Sequence, residues 1–286
     1  MKIITSLREI QDLCLRLKKM GKSIGFVPTM GYLHEGHLEL MNVARRENDV
    51  LVTSVFVNPL QFGPNEDFDK YPRDADGDEA KARSVGVDYF FYPHVDEMYP
   101  SPLATTMVVN SRTDVLCGAS RPGHFDGVVT VLAKLFNLVL PERVYMGTKD
   151  AQQVAVVSQF VVDYNFPLQI VPVPTVREHD GLAKSSRNVY LTAHERAQAS
   201  QLYGSLKAAE NLIQNGESSV DKVADYVKEH LADLWNSGVE LDYIAIYSYP
   251  DLQPTQVVSG RLILAVAAKF SKARLIDNII IETGAE

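Results

Sequence analysis

Apolar positions along the chain follow two alternating rhythms. Ser6-Leu7-Arg8-Glu9 has the spacing of a capping box, and Leu7, Ile10, Leu13 and Leu17 then recur at helical intervals, which predicts an amphipathic helix before Gly21. Residues 24–27 form a short continuous apolar run ending at Pro28, the pattern of a buried strand. A loop over 29–36 leads into a helix carrying Leu38, Met41 and Ala44, and residues 50–57 form a second buried strand closed by Asn58-Pro59. Strand, helix and strand in this order make a βαβ unit with a parallel pair. The alternation continues through helix 75–85, strand 87–92, helix 125–140, strand 143–146, helix 151–162 and strand 168–173. Such repetition predicts an α/β fold, a Rossmann-like doubly wound parallel sheet.

The pattern changes after Pro172 and Pro174. Helical stretches at 193–214 and 220–235 precede three strand-like runs near 243–247, 262–267 and 275–281, close enough to pair antiparallel. Segregated helices and strands predict a smaller C-terminal α+β domain. The boundary is placed near Thr175, giving domains 1–175 and 176–286.

Composition narrows the function classes. The 46% hydrophobic and 22% charged residues belong to a chain that folds around a core rather than a disordered one. A formal net charge of −8 is the wrong sign for a nucleic-acid binder, so any anion must be held by a few local cations. No apolar run approaches the ~20 residues that span a bilayer, and the N-terminus lacks a secretory apolar core. Cys14 and Cys117 show no metal-ligand spacing and read as reduced thiols. A cytoplasmic protein with no membrane partner is expected.

Five segments carry candidate chemistry. The first is the turn between the first buried strand and its helix, residues 28–37, holding Pro28, Met30, Gly31, His34, Gly36 and His37. Helix N-termini beyond the carboxyl ends of parallel strands attract phosphate, and two histidines flanking Gly36 suit an anion there. The segment is neither a Walker A loop nor an H-E-x-x-H zinc site, because His37-Leu38 replaces Lys-Ser/Thr and the histidines are one residue too close. The second segment, residues 58–63 with Asn58 and Gln61, reads alone as an ordinary turn and gains interest from lying beside the first. In the third, Arg121 is either a bidentate clamp for a carboxylate or phosphate, or a solvent-facing residue at a helix cap. The fourth, Gly147-Thr148-Lys149-Asp150 with Gln153 one turn on, puts a cation at a helix start. The fifth, Lys184-Ser185-Ser186-Arg187, gathers cations and hydroxyls at the proposed domain junction, where a loop can close over a ligand.

Together these segments resemble the pantothenate synthetase family. The likeness rests on residues 26–37 (FVPTMGYLHEGH), 56–63 (FVNPLQFG), 71–73 (YPR), 121–137 (RPGHFDGVVTVLAKLFN), 147–153 (GTKDAQQ) and 180–188 (DGLAKSSRN). It implies a homodimeric ligase using ATP and magnesium, with a Rossmann-like domain and a C-terminal lid. Pantoate would attack the α-phosphorus of ATP to give pantoyl adenylate and pyrophosphate, and β-alanine would then expel AMP. By this resemblance His34, His37, Lys149 and Arg187 would act in catalysis and contact the ATP phosphates with Ser185 and Ser186. Gly36, Gly147, Asp150, Val176 and Lys184 would line the rest of the ATP site. Pro28 and Met30 would border ATP and pantoate alike, and Gln61 and Gln153 would hold pantoate. Asn58, Tyr71 and Arg121 would contact substrate or lid, and Asp78 would serve magnesium. Rival readings are a nucleotidylyltransferase, which lacks the paired Gln61 and Gln153 segments, an aminoacyl-tRNA synthetase-like protein, disfavoured by the acidic charge, and a silent nucleotide-binding regulator.

Overall fold

The computed structural model describes residues 1–64, 66 and 68–284. Its first half runs β1 (Lys2–Ile4), α1 (Leu7–Lys19), β2 (Ile24–Thr29), α2 (Glu35–Glu47), β3 (Val50–Val55), α3 (Ala75–Ser84), β4 (Tyr89–Phe91) and the short helices α4 (Val95–Met98) and α5 (Leu116–Ser120). It continues with α6 (His124–Val139), β5 (Arg143–Gly147), α7 (Ala151–Asp163) and β6 (Gln169–Val173). The six strands form one parallel sheet in the order β1-β4-β3-β2-β5-β6. From β2 the chain builds outward to β3 and β4, then returns to the other side of β2 for β5 and β6. The order therefore reverses between β2 and β5, and a crevice opens beyond their carboxyl ends, the usual ligand position in such sheets.

Strand β3 is buried at every position because helices cover both sheet faces, which is why its sequence is continuously apolar rather than alternating. One core cluster packs α1, α6 and α7 on one face through Ile10, Leu132, Phe136 and Val157. A second packs α2 and α3 on the other through Leu40, Met41, Ala44 and Ala82.

The chain then forms α8 (Ala193–Ala199), α9 (Gln201–Gln214), α10 (Val220–His230), α11 (Ala232–Asn236) and strands β7 (Glu240–Ser248), β8 (Arg261–Lys269) and β9 (Arg274–Glu282). The three strands make an antiparallel sheet, as their spacing predicts. Its own cluster runs from Leu182 to Ile281, whereas the clusters of the parallel sheet end at Val173. A small cluster joins the units, setting Leu116, Ala151 and Ala155 against Tyr249, Leu252 and Ile263.

Several elements differ from the pattern-based expectation. The helix expected over 193–214 breaks at Ser200, where the backbone stays near helical (φ −65°, ψ −19°), so the apolar period runs through the break. The one expected over 220–235 breaks at Leu231, which is fully buried and keeps the period going. Strand β1 is three residues long, too short to show a rhythm, and exists because it pairs with β4. Half of the expected capping box forms at α1: Ser6 accepts from the Glu9 N–H, but the Glu9 carboxylate pairs with Lys2 instead. Among the described residues no helix is long and apolar enough to cross a membrane.

Candidate active site

A cleft of about 240 Å³ lies at the reversal point, walled by the ends of β2 and β5, the first turns of α2 and α7, one face of α6 and residues 184–187. It brings together Pro28, Met30, His34, Gly36, His37, Gln61, Tyr71, Arg121, Gly147, Lys149, Asp150, Gln153, Val176, Lys184, Ser185, Ser186 and Arg187. Asn58 and Asp78 are the two expected site residues that lie behind its walls.

The two histidines form the N-terminal cap of α2. His34 is the cap residue, and its Nδ1 accepts from the Gly36 N–H at 3.1 Å, while the His34 N–H donates to His37 Nδ1 at 3.3 Å. Both Nδ1 atoms are thus acceptors, so each neutral imidazole carries its hydrogen on Nε2. The rings stand 4.0 Å apart between centroids. Burial, then the nearby Lys149 charge, depresses the His34 pKa to about 4, and burial followed by His34 itself holds His37 well below its usual value. The site therefore offers two Nε2–H donors that stay uncharged at neutral pH. Protonation of either ring would place a hydrogen on Nδ1 and break the cap.

This arrangement fixes a pH dependence. The folded protein resists protonating His34 while an unfolded histidine titrates near 6.5, so stability is undiminished above that value and falls as pH drops from about 6.5 toward 4. Nitrogen-detected NMR of ligand-free protein should show His34 as the Nε2–H tautomer at pH 6; a ring already half-protonated there would contradict the geometry.

Lys149 sits at the turn between β5 and α7, with Asp150 as its nearest carboxylate at 3.9 Å. The turn is held from the second unit: Asn278 of β9 donates from Nδ2 to the carbonyl oxygens of Thr148 (3.1 Å) and Lys149 (2.8 Å). Arg177 forms a bidentate pair with the neighbouring Asp277 at 2.6 and 2.9 Å. Neither Asn278 nor Asp277 has a local sequence signature, since the turn each supports lies far away in the chain.

Arg121 is not solvent-facing: it lines the cleft with its guanidinium already paired. Its guanidinium makes a bidentate pair with Glu66 (both contacts 2.6 Å) and donates to the Gln61 carbonyl at 3.2 Å. His124, which sequence reading missed, also bonds the Gln61 carbonyl through Nδ1 at 2.9 Å. Asn58 completes this support from behind, its Nδ2 bonded to Gln61 Oε1 and to the Gly127 carbonyl, each at 3.0 Å. Asn58 is 1% exposed, so the contact with substrate or lid expected of it gives way to positioning Gln61.

Beside the turn that carries Gln61, Val128, Val131, Leu132 and Leu135 of α6 line the cleft, at the i, i+3, i+4, i+7 positions of one helix face. Their periodicity reads as core, and they serve as both core and cleft wall. Residues 184–187 pass over the cleft. Ser185 caps its own turn by accepting from the Arg187 N–H, Ser186 bonds the Tyr71 hydroxyl at 3.2 Å, and Lys184 reaches Glu178 (3.0 Å) and Glu35 (3.2 Å).

A second chamber of about 370 Å³ adjoins the cleft. It shares Arg121, His124, Lys149, Asp150, Gln153, Ser185 and Arg187 with the cleft, and its far wall is the end of β8, the β8–β9 turn and β9, including Lys269, Lys272 and Arg274.

Asp78 does not fit a magnesium ligand. It is 1% exposed, and its carboxylate accepts from the backbone N–H groups of Tyr32 (2.8 Å) and Leu33 (2.6 Å). Among the described residues no group of three or more His, Cys, Asp or Glu side chains is placed to hold a metal ion.

Fold and cleft define a doubly wound α/β protein whose His-x-Gly-His helix cap lines a cleft at the reversal point of its sheet. The chain belongs to the pantoate–β-alanine ligase family, whose model it matches over residues 2–280. It is 57% identical to the pantothenate synthetase of Geobacillus thermodenitrificans over 280 residues, covering 98% of this chain and 96% of that one. It is 59% identical to that of Bacillus mycoides, covering 98% of each. Among solved structures, the Thermus thermophilus pantothenate synthetase superposes with a TM-score of 0.92 at 46% identity, covering 98% of this chain and 99% of that one. The Francisella tularensis pantoate–β-alanine ligase, complexed with β,γ ATP and β-alanine, superposes with a TM-score of 0.79 at 34% identity, covering 98% and 97%.

Proposed function

We propose that this protein is an ATP-dependent ligase that condenses pantoate with β-alanine through a pantoyl-adenylate intermediate. The observation that carries this reading is the convergence of His34, His37, Lys149 and Arg187 with Gln61 and Gln153 in one cleft. The first four offer donors and charge to a triphosphate. The amides suit the hydroxyl and carboxylate groups of pantoate, and the α6 wall suits its geminal methyls.

In the first step a pantoate carboxylate oxygen bonds to the α-phosphorus and the bond to the bridging oxygen breaks, releasing pyrophosphate. Negative charge builds on the phosphate oxygens, and the preorganised Nε2–H donors and Lys149 stabilise it. In the second step the β-alanine nitrogen bonds to the acyl carbon, AMP leaves, and the amine loses a proton. The substrates supply both nucleophiles, so the protein aligns reactants and balances charge. The adjoining chamber, with cations on its far wall, gives the amino acid a route to the acyl carbon past Gln153.

Magnesium would accompany ATP and help neutralise its phosphates, as it commonly does at such sites, without a carboxylate cluster among the described residues of this chain to hold it. Residues 1–175 act as the base and 176–286 as the cover, in a cytoplasmic homodimer. Purified protein given ATP, magnesium, pantoate and β-alanine should release AMP and pyrophosphate in step with amide formation. Absence of the amide at saturating substrates would reject the ligase reading.

A further inference from the structure

We propose that Asp78 is a positioning residue for adenylate formation, clamping the turn at 31–33 so that His34 presents its donor at a fixed place in the cleft. The inference rests on the ligase reading for its kinetic consequences and on geometry for its cause.

The turn between β2 and α2 adopts an unfavourable backbone. Gly31 has φ +86° and Tyr32, which carries a side chain, has φ +50°. Left-handed conformations cost an L-residue free energy and persist where surrounding structure overdetermines them. Here that structure is identifiable. Consecutive N–H groups of Tyr32 and Leu33 converge on the two carboxylate oxygens of Asp78, a small anion nest built in reverse around a side chain of the protein itself. The approach is close: a Cβ on Gly31 would meet Asp78 Oδ2 at 3.0 Å and Val55 Cγ1 at 2.8 Å. Thr29 adds a second hold, accepting from the Gly31 N–H while donating to the Ser54 carbonyl.

The next residue after this clamp is His34, the cap of α2. Leu33 is 2% exposed and anchored in the core, so the clamp and the anchor together fix where the helix starts. A carboxylate can accept both N–H groups; a carboxamide accepts one and turns its NH₂ toward the other.

Asp78→Asn tests the assignment. It should lower kcat/KM for ATP about 10–100-fold, by displacing a donor a fraction of an ångström, with the KM for pantoate and the half-saturating magnesium concentration each within about twofold of wild type. The His34 Nε2–H resonance of ligand-free protein should shift or broaden, a readout that needs no reaction. A normal kcat/KM for ATP with unmoved His34 signals would overturn the proposal. Recovery of the rate at high magnesium, with a raised half-saturation, would make Asp78 a metal ligand and overturn it too. If Asp78→Asn does not fold, Tyr32→Gly added to it should restore folding, because glycine takes φ +50° freely. A double variant that also fails to fold would show the role to be global and sink the inference. Wild-type protein that makes no amide would instead reject the ligase reading, leaving the His34 spectra as an independent test.

Discussion

His37→Ala is expected to slow pantoyl-adenylate formation by about 10²–10³-fold, the usual loss for one transition-state donor. The reason lies in its ring geometry. Nδ1 is occupied by the His34 N–H, so Nε2–H is the donor left for a ligand in the cleft. Burial keeps the ring neutral, so this donor stays in place across the neutral pH range instead of gaining or losing a charge. The relevant measurement is single-turnover pyrophosphate release from ATP and pantoate with β-alanine omitted, which isolates the first step. Removing the ring also deletes one cap hydrogen bond, at a cost of about 1 kcal/mol in stability. Thermal melting separates this structural loss from the kinetic one. An unaltered single-turnover rate would exclude His37 from the reaction.

Gly127→Ala should destabilise the fold by about 1–3 kcal/mol or more and raise the KM for pantoate. Gly127 lies in the first turns of α6, pressed against the turn that carries Gln61. A Cβ there would stand 2.1 Å from the Leu60 carbonyl oxygen and 2.8 Å from the Gln61 nitrogen, both backbone atoms that cannot rotate aside. The turn must move as a unit, straining the bonds from Asn58, Arg121 and His124 that aim Gln61. Gly204 provides the control. It sits inside α9 with nothing within 4 Å of an added Cβ, so Gly204→Ala should be neutral or stabilising by up to about 1 kcal/mol through helix propensity. Denaturant midpoints of the two variants, with pantoate kinetics for Gly127→Ala, decide the matter. Equal stabilities would mean that the α6 contact is not as tight as described.

The parallel sheet was legible because its strands announce themselves in continuous apolar runs, and each strand–helix turn marks a place where ligands collect. His34, His37 and Lys149 stand at such turns, and local sequence sufficed to find them. Asp78 was not legible in the same way. An acidic residue in the first turn of a helix reads alike whether it faces solvent, a metal or a buried turn, and the docking of α3 beneath the β2–α2 turn decides which. Arg121 left two readings open because Glu66, its partner, lies in a segment 55 residues earlier with no pattern linking them. Asn278 was invisible for the same reason on a larger scale, reaching the Lys149 turn from the last strand of the chain. Local propensity finds elements and their ends; what supports a catalytic side chain from behind is a property of tertiary packing.

The cations around the cleft also bear on how substrate arrives. Lys184 is flanked by Glu35 and Glu178, Arg121 is matched to Glu66, and Lys149 has Asp150 beside it. Each of these three cations thus has a carboxylate beside it, and the molecule as a whole carries a formal net charge of −8. Long-range attraction gathers a polyanion only where positive potential extends beyond about a Debye length, ~8 Å at physiological ionic strength. Pairing each of these cations with a carboxylate weakens such steering, and the expected outcome is a nucleotide association rate, measured by stopped flow, that varies little with salt.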